Sequence, residues 1–405
     1  MPPVAGPRYR SRVPLEELAW MALAELAGGE SRAFAELAAV LGSARAVFDA
    51  SVAELGRLGM NEAGVRAVLR FDAWDGLRAR RERCTELGIS IAAFDSAGYP
   101  AQLRHIADPP LILYYRGGAP GSFGPVVAVV GSRRATRYGL RVAEALGERL
   151  ARRGVVVVSG LARGIDAAAH VGAVRGGVSI AVLAGGLDRV YPARNRRLCE
   201  RLAVAGSVVS ESAPGTPLRP YLFPVRNRII TGMSAATVIV EAGERSGSLV
   251  SARLAAEQGR EVFAVPGNID SPTSAGANAL IRDGAVPLLA PAQVLEVCGI
   301  EAAVAPEDAA GGGECSSDKP FDGNASTAVV AALDPSGSHL DDVAEAVGLD
   351  GARVMELLTS LELGGFVERL PGGRFAPSAA LFEQGAPRTY DGNDETEGGR
   401  RGHGD

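Results

Sequence analysis

Short apolar runs, each closed by a glycine-bearing loop, recur through the middle of the chain: VVAVVGSRRAT from Val126, VVVVSGLARGID from Val155, SIAVLAGGLD from Ser179, VVSES from Val208, TVIVEAGERSGS from Thr237 and EVFAVPGN from Glu261. Runs this short and this continuously apolar predict strands buried on both faces. Between them the apolar spacing changes to three and four, which predicts helices over Gly139 to Arg152, Asp166 to Arg175, Arg194 to Val204 and Ser248 to Gly259. Strand and helix in alternation give an α/β fold built on a doubly wound parallel sheet. A further strand at Ala285 to Leu289 closes it.

Ahead of the sheet, Leu15 to about Arg83 keeps helical spacing, with glycines following the periodic stretches as C-caps, so a bundle of short helices is expected. Within it, Leu55 to Gly64 reads either as a helix-hairpin-helix turn offering N–H groups to a DNA phosphate or as part of a plain bundle used for packing or protein contact. Residues 88 to 117 give a strand, a turn at Gly98 to Pro100, a short helix and another strand. Beyond the sheet, residues 300 to about 325 are rich in Gly, Ala, Ser and acids without periodicity, as in a flexible linker. Three helical segments and a hairpin around Pro371 to Gly373 follow, the pattern of a winged helix. Its expected recognition helix, Gly351 to Leu363, sets Arg353 against Glu356 and Glu362, which favours protein contact or packing over major-groove reading. The domains expected are a helical one over 12–85, the sheet over 86–298, a linker over 299–326, the winged helix over 327–380 and a disordered polar tail over 381–405.

A chain of 405 residues, 47% hydrophobic, can bury one large core and still carry small satellite domains. The net charge of -5 gives no global sign of nucleic acid, yet Val126 to Ile230 holds seventeen arginines against six acids. Lys319 is the single lysine, so the basic side chains are arginine forks, suited to phosphate and to stacking on bases. Cys84, Cys199, Cys298 and Cys315 stand far apart with no CxxC spacing. That argues against a metal site or a disulfide framework and fits a reducing cytoplasm. With no apolar run of about 18 residues and no apolar leader, neither membrane spanning nor secretion is expected.

The loops carry the chemistry. Gly131-Ser132-Arg133-Arg134 offers close backbone approach, a hydroxyl and a guanidinium fork, and reads as an anion site or as an ordinary turn. It is neither a Walker loop nor GxGxxG, so no nucleotide cofactor is expected. In Gly160-Leu-Ala-Arg163-Gly164-Ile-Asp166, with His170 one turn on, the acid and histidine form an acid/base pair, half a metal site, or a helix cap over a packed imidazole. After Gly185-Gly186, the run Arg194-Asn195-Arg196-Arg197 puts cations where a helix N-terminus repels them, which points to an external anion or a solvated face. Phe223 with Arg226, Asn227 and Arg228 combines a stacking ring with charge, as single-stranded nucleic acid requires, unless the ring is core. Ser246-Gly247-Ser248 either cradles a phosphate or caps its helix. No GxSxG elbow, metal cluster or catalytic carboxylate pair is present, so no catalytic residue is assigned.

Taken in order, GSR, SGLARGIDAAAH, GGLDRVYPARN, ESAPGTP, FPVRNRIITGMS, VIVEAGERSGSLVSARLAAEQGREVFAVPGN and SAGANALIRDGA closely resemble the DprA/Smf family of DNA-processing proteins. The resemblance implies an extended Rossmann-like domain that binds single-stranded DNA, dimerises and loads the recombinase RecA during natural transformation, without catalysis. It also implies a preceding helical domain of sterile-alpha-motif or helix-hairpin-helix type and a following winged helix. By position, Ser132 and Arg133 become the primary phosphate pocket, Gly160, Gly164 and Asp166 shape its neighbour, and Arg226, Asn227 and Arg228 line the same groove. Family members often place a lysine just after the Tyr-Pro pair, where this chain has Ala193 and then Arg194. Two other readings stand beside this one. A nucleotide-processing phosphoribohydrolase would need a PGGxGTxxE loop, which neither Glu241-Ala-Gly243-Glu244 nor Pro266-Gly267-Asn268 reproduces. A protein-interaction adaptor, docking through the helical and winged-helix domains, is compatible with strand binding.

Overall fold

The computed structural model describes residues 15–300, 323–363 and 366–378. The expected tail and nearly all of the expected linker lie outside the described residues. The chain divides into two units, Met1–Ala309 and Ala310–Asp405.

Six helices open the first unit: α1 (Leu15–Leu26), α2 (Ser31–Leu41), α3 (Ala44–Asp49), α4 (Val52–Arg57), α5 (Glu62–Leu69) and α6 (Trp74–Glu86). Side-chain caps start three of them: Ser43, Ser51 and Asn61 accept the N–H groups of Ala46, Glu54 and Gly64. Leu18, Met21, Phe34, Val47, Leu55 and Leu77 pack in one continuous core with Ile112, Tyr114 and Val208 of the sheet. The helices therefore seal one end of the sheet.

The rest of this unit runs β1 (Ser90–Ala93), β2 (Ile112–Gly117), β3 (Val126–Val130), α7 (Arg137–Arg152), β4 (Val156–Ser159), α8 (Ile165–Gly176), β5 (Ser179–Leu183), α9 (Arg196–Ala205), β6 (Ser207–Ser210), α10 (Leu222–Gly232), β7 (Ala236–Ile239), α11 (Ser248–Glu257), β8 (Glu261–Ala264), α12 (Ala275–Arg282), β9 (Val286–Pro287) and α13 (Pro291–Val297). The sheet order is β1-β2-β6-β5-β4-β3-β7-β8-β9. Strands β6 to β9 in that order run parallel, while β2 pairs antiparallel with β6 and with β1. Side chains alternate across β3: Val127 and Val129 join the core of α7 and α8, Val126, Ala128 and Val130 that of α10 and α11. Both faces are covered, which is why these strands read as unbroken apolar runs. The chain moves outward from β3 through β4 and β5 to β6, then returns to the other side of β3 with β7. The order thus reverses between β3 and β7, where such sheets open a crevice at the carboxyl ends of their strands.

The second unit holds α14 (Gly323–Ala331), β10 (Ser338–His339), α15 (Leu340–Val347), α16 (Gly351–Leu363), β11 (Val367–Leu370) and β12 (Arg374–Pro377). Its strands pair in the order β10-β12-β11 over a core of Val329, Val343, Val354, Leu358, Val367 and Phe375, a winged helix. Among the described residues, no helix is long and apolar enough to cross a membrane.

Candidate nucleic-acid interface

The crevice at the β3/β7 reversal is a cavity of about 680 Å³. Gly131, Ser132, Arg133 and Arg134 after β3 form one wall, and Gly243, Arg245, Ser246, Gly247 and Ser248 after β7 form another. Asp166 at the start of α8, Phe223, Arg226 and Asn227 on α10, and Pro272 and Thr273 also line it. Gly160, Arg163, Gly164, Gly185, Arg194, Asn195 and Arg228 are not part of these walls. Arg245 is a wall residue that sequence reasoning passed over. Its signal was an arginine directly before Ser246-Gly247-Ser248.

The loop after β3 is fixed at both ends by Glu241, two residues beyond the end of β7. The Ser132 N–H donates to the Glu241 carbonyl at 2.7 Å, and the Thr136 N–H donates to the Glu241 carboxylate at 2.9 Å. The Ser132 hydroxyl accepts the Arg134 N–H at 3.0 Å, so it orders the turn from within. From the other side the Ile165 N–H reaches the Ser132 carbonyl at 3.2 Å. That approach needs glycine at 164, where φ is +80° and any Cβ would collide with the same carbonyl.

Beneath the crevice, Asp166 and Arg226 hold the Gly160 peptide between them. The Asp166 carboxylate accepts the Gly160 N–H at 3.2 Å, and Arg226 Nη1 donates to the Gly160 carbonyl at 2.7 Å and to the carbonyl of Val182. A Cβ on Gly160 would strike the Arg226 guanidinium, so only glycine fits. Burial pushes the Asp166 carboxyl up, against the opposing pull of Arg226 and the N–H groups of Ala162 and Gly160. Burial also brings the Arg226 guanidinium down to about 10, with Asp166 opposing that shift and Arg133 adding to it. Leu161 adopts φ +54°, and the Asn195 amide donates to its carbonyl at 2.9 Å. Asn195 therefore ties the short turn before α9 to the β4 loop, and α9 begins at Arg196 with Arg194 in that turn. The Gly185 carbonyl likewise accepts the Ser210 hydroxyl, a link between strand ends.

Two of the arginines expected to line the groove have internal partners. Arg226 is buried as described. Arg228 pairs with Glu211 at 2.7 Å and Asp108 at 3.2 Å, so its charge is neutralised where it stands. Asn227 does reach the crevice while its Oδ1 accepts from Arg226 Nε at 3.2 Å. Phe223 is half-buried rather than core. The Arg133 guanidinium lies over its ring at 5.0 Å from the centroid, and exposed Tyr191 meets it edge-on at 6.1 Å. His170 packs under α8, its Nδ1 2.8 Å from the Ser179 hydroxyl, which is the packed reading of that motif.

Free positive charge is concentrated on one edge. Arg133, Arg134, Arg137, Arg163, Arg194, Arg197, Arg219 and Arg245 are exposed and, among the described residues, have no carboxylate within ion-pair distance. All sit on loops or first helical turns that follow strand ends. At the opposite edge, Arg152 and Arg175 pair with Glu148 and Glu144.

Residues 90–299 match the family model described as DNA recombination-mediator protein A, and residues 319–373 the one described as DprA winged helix domain. Protein Smf of Escherichia coli is 42% identical over 281 residues, 69% of this chain and 75% of that protein. DNA processing protein DprA of Bacillus subtilis is 42% identical over 202 residues, 49% of this chain and 68% of that protein. The X-ray structure of DNA processing protein A from Streptococcus pneumoniae, 32% identical, matches with a TM-score of 0.59 over 69% of this chain and 96% of that one.

Proposed function

Because the chain belongs to the DprA/Smf family of DNA-processing proteins, we propose that the crevice between β3 and β7 holds a single DNA strand, without regard to sequence and without covalent chemistry. One observation carries this reading: the exposed arginines that lack carboxylate partners gather at the strand ends around a crevice that contains a half-buried aromatic ring. Arginine forks grip a backbone of any sequence, and rings accept any base. The guanidinium of Arg133, already seated on Phe223, loses little freedom when a phosphate docks.

The carboxylates near the crevice support a binding role. Asp166 is engaged by backbone N–H groups, and Glu241 is bound to Thr136 and buried. Neither stands free to work on a ribose, which weighs against nucleotide hydrolysis. We further read the bound strand as cargo handed to RecA in natural transformation, by a homodimer acting in the cytoplasm. That part of the reading rests on the family resemblance. Fluorescence anisotropy with labelled oligo-dT and with a blunt duplex of equal length tests the proposal: the single strand should bind at least about tenfold more tightly. Equal or tighter duplex binding would contradict it.

A further inference from the structure

Rossmann-type sheets usually take a phosphate at the N-terminus of the helix that follows their first parallel strand, because the unpaired N–H groups and the helix dipole both face it. Here that helix is α7, and its N-terminus already has an anion. The Glu241 carboxylate, carried on the neighbouring strand end, accepts the Thr136 N–H at 2.9 Å and the Thr136 hydroxyl. Thr136 in turn caps α7 by accepting the Gly139 N–H at 3.1 Å. Glycine at 139 makes room for this, since a Cβ there would run into the carboxyl group. Glu241 is 3% exposed and, among the described residues, has no arginine or histidine within ion-pair distance, so its charge faces the helix end. Asp166, in the first turn of α8, turns back instead onto the preceding loop and takes the N–H groups of Gly160 and Ala162. At α11 no carboxylate intervenes: Ser246 and Ser248 share a hydrogen bond at 2.7 Å and face the crevice beside Arg245.

We propose that Glu241 is a built-in anion that closes the α7 N-terminus to phosphate, and so diverts phosphate binding outward to Arg133, Arg245 and the first turn of α11. It is a specificity-determining residue: with it, the crevice rejects a mononucleotide-type phosphate at depth and accepts a strand along the rim. This rests on the strand-binding reading for what the rim holds, but its test does not.

Two variants are compared with the full-length protein. Glu241→Ala removes charge and bulk, and Glu241→Gln removes the charge alone. Thermal unfolding is followed in acetate, inorganic phosphate, chloride and neutral acetamide, with the salts at equal ionic strength. The Ala variant should be selectively stabilised by acetate, with no response to acetamide, and should gain more from phosphate than the wild type, whose rim alone takes phosphate and which gains from acetate no more than from chloride. In calorimetry the Ala variant should bind inorganic phosphate at least about tenfold more tightly than the wild type, and the Gln variant, whose carboxamide still fills the helix end, should not. If the Ala variant does not fold, Glu241→Ser, which also empties the helix end, decides. The proposal is overturned if acetamide serves as well as acetate, or if the emptied site binds phosphate no better than the wild type. Oligo-dT binding by the wild type, measured alongside, reports separately on the strand reading.

Discussion

Gly160 lies between two opposite charges, with Asp166 on its N–H and Arg226 on its carbonyl. Taking a guanidinium and a carboxylate out of water costs several kcal/mol each, and the carbonyls of Gly160 and Val182 and the opposing charge offset much of it. Arg226→Leu strands the Asp166 charge, and unfolding free energy should fall by about 3–5 kcal/mol. Adding Asp166→Asn should recover part of that loss. Urea denaturation of the single and double variants checks the coupling, and strictly additive losses would show that the pair does not act as one. These arginines also mark where the sequence stops being informative. Arg226-Asn227-Arg228 reads as three groove ligands because charge is visible in a sequence and a distant partner is not. Gly160 is 66 residues from Arg226, and Asp108 is 120 residues from Arg228. Glu241 is a similar case: its role depends on a helix that begins 104 positions earlier, as the Thr136 contact across 105 residues shows.

At the level of elements, the strands were legible because burial on both faces leaves no polar register to hide, and the first-turn glycines marked their ends. Helix α10 was not legible as a helix. Its Pro224 lies in the first turn, where the missing N–H costs nothing, but in a sequence the same residue reads as a breaker. The winged helix was legible in outline, and its charge points away from DNA. Asp334, Asp341, Asp342, Glu345, Asp350, Glu356, Glu362 and Glu368 outnumber Arg353, Arg369 and Arg374 among its described residues, and Arg353 is paired with Glu356 at 2.7 Å. A duplex reader needs the reverse balance. Replacing Arg353 and Arg374 together by alanine should therefore leave DNA affinity within about twofold of wild type in anisotropy titrations. A tenfold loss would bring this element into the binding surface.

At the scale of the sheet, the pairs Arg152–Glu148 and Arg175–Glu144 lie at one edge, and eight exposed arginines with no carboxylate partner among the described residues lie at the other. Beneath that edge, His170 ties folding to pH. Burial holds its imidazole down to about 3 from an ordinary 6.5, with Arg226 adding to the shift. A depressed folded-state value means the unfolded chain takes up the proton first. Stability is therefore whole above 6.5 and falls as pH drops toward 3. Between about pH 7 and about pH 5 the loss from this residue alone should be about 2 kcal/mol. Urea unfolding of wild type and His170→Asn at both values tests this, since the variant should lose less, and parallel losses would remove the role given to His170.

The placement of the strand in the β3/β7 crevice is tested most directly by oligo-dT affinity as a function of salt, for wild type and Arg133→Ala. Arg133 is exposed, has no carboxylate partner and stacks on Phe223, so its removal should not disturb the fold. The variant should bind more weakly by about 1.5–3 kcal/mol. The slope of log affinity against log salt should become shallower by about 0.7, the share of one phosphate contact on a single strand. Affinity and slope both equal to wild type would place the DNA elsewhere on the protein.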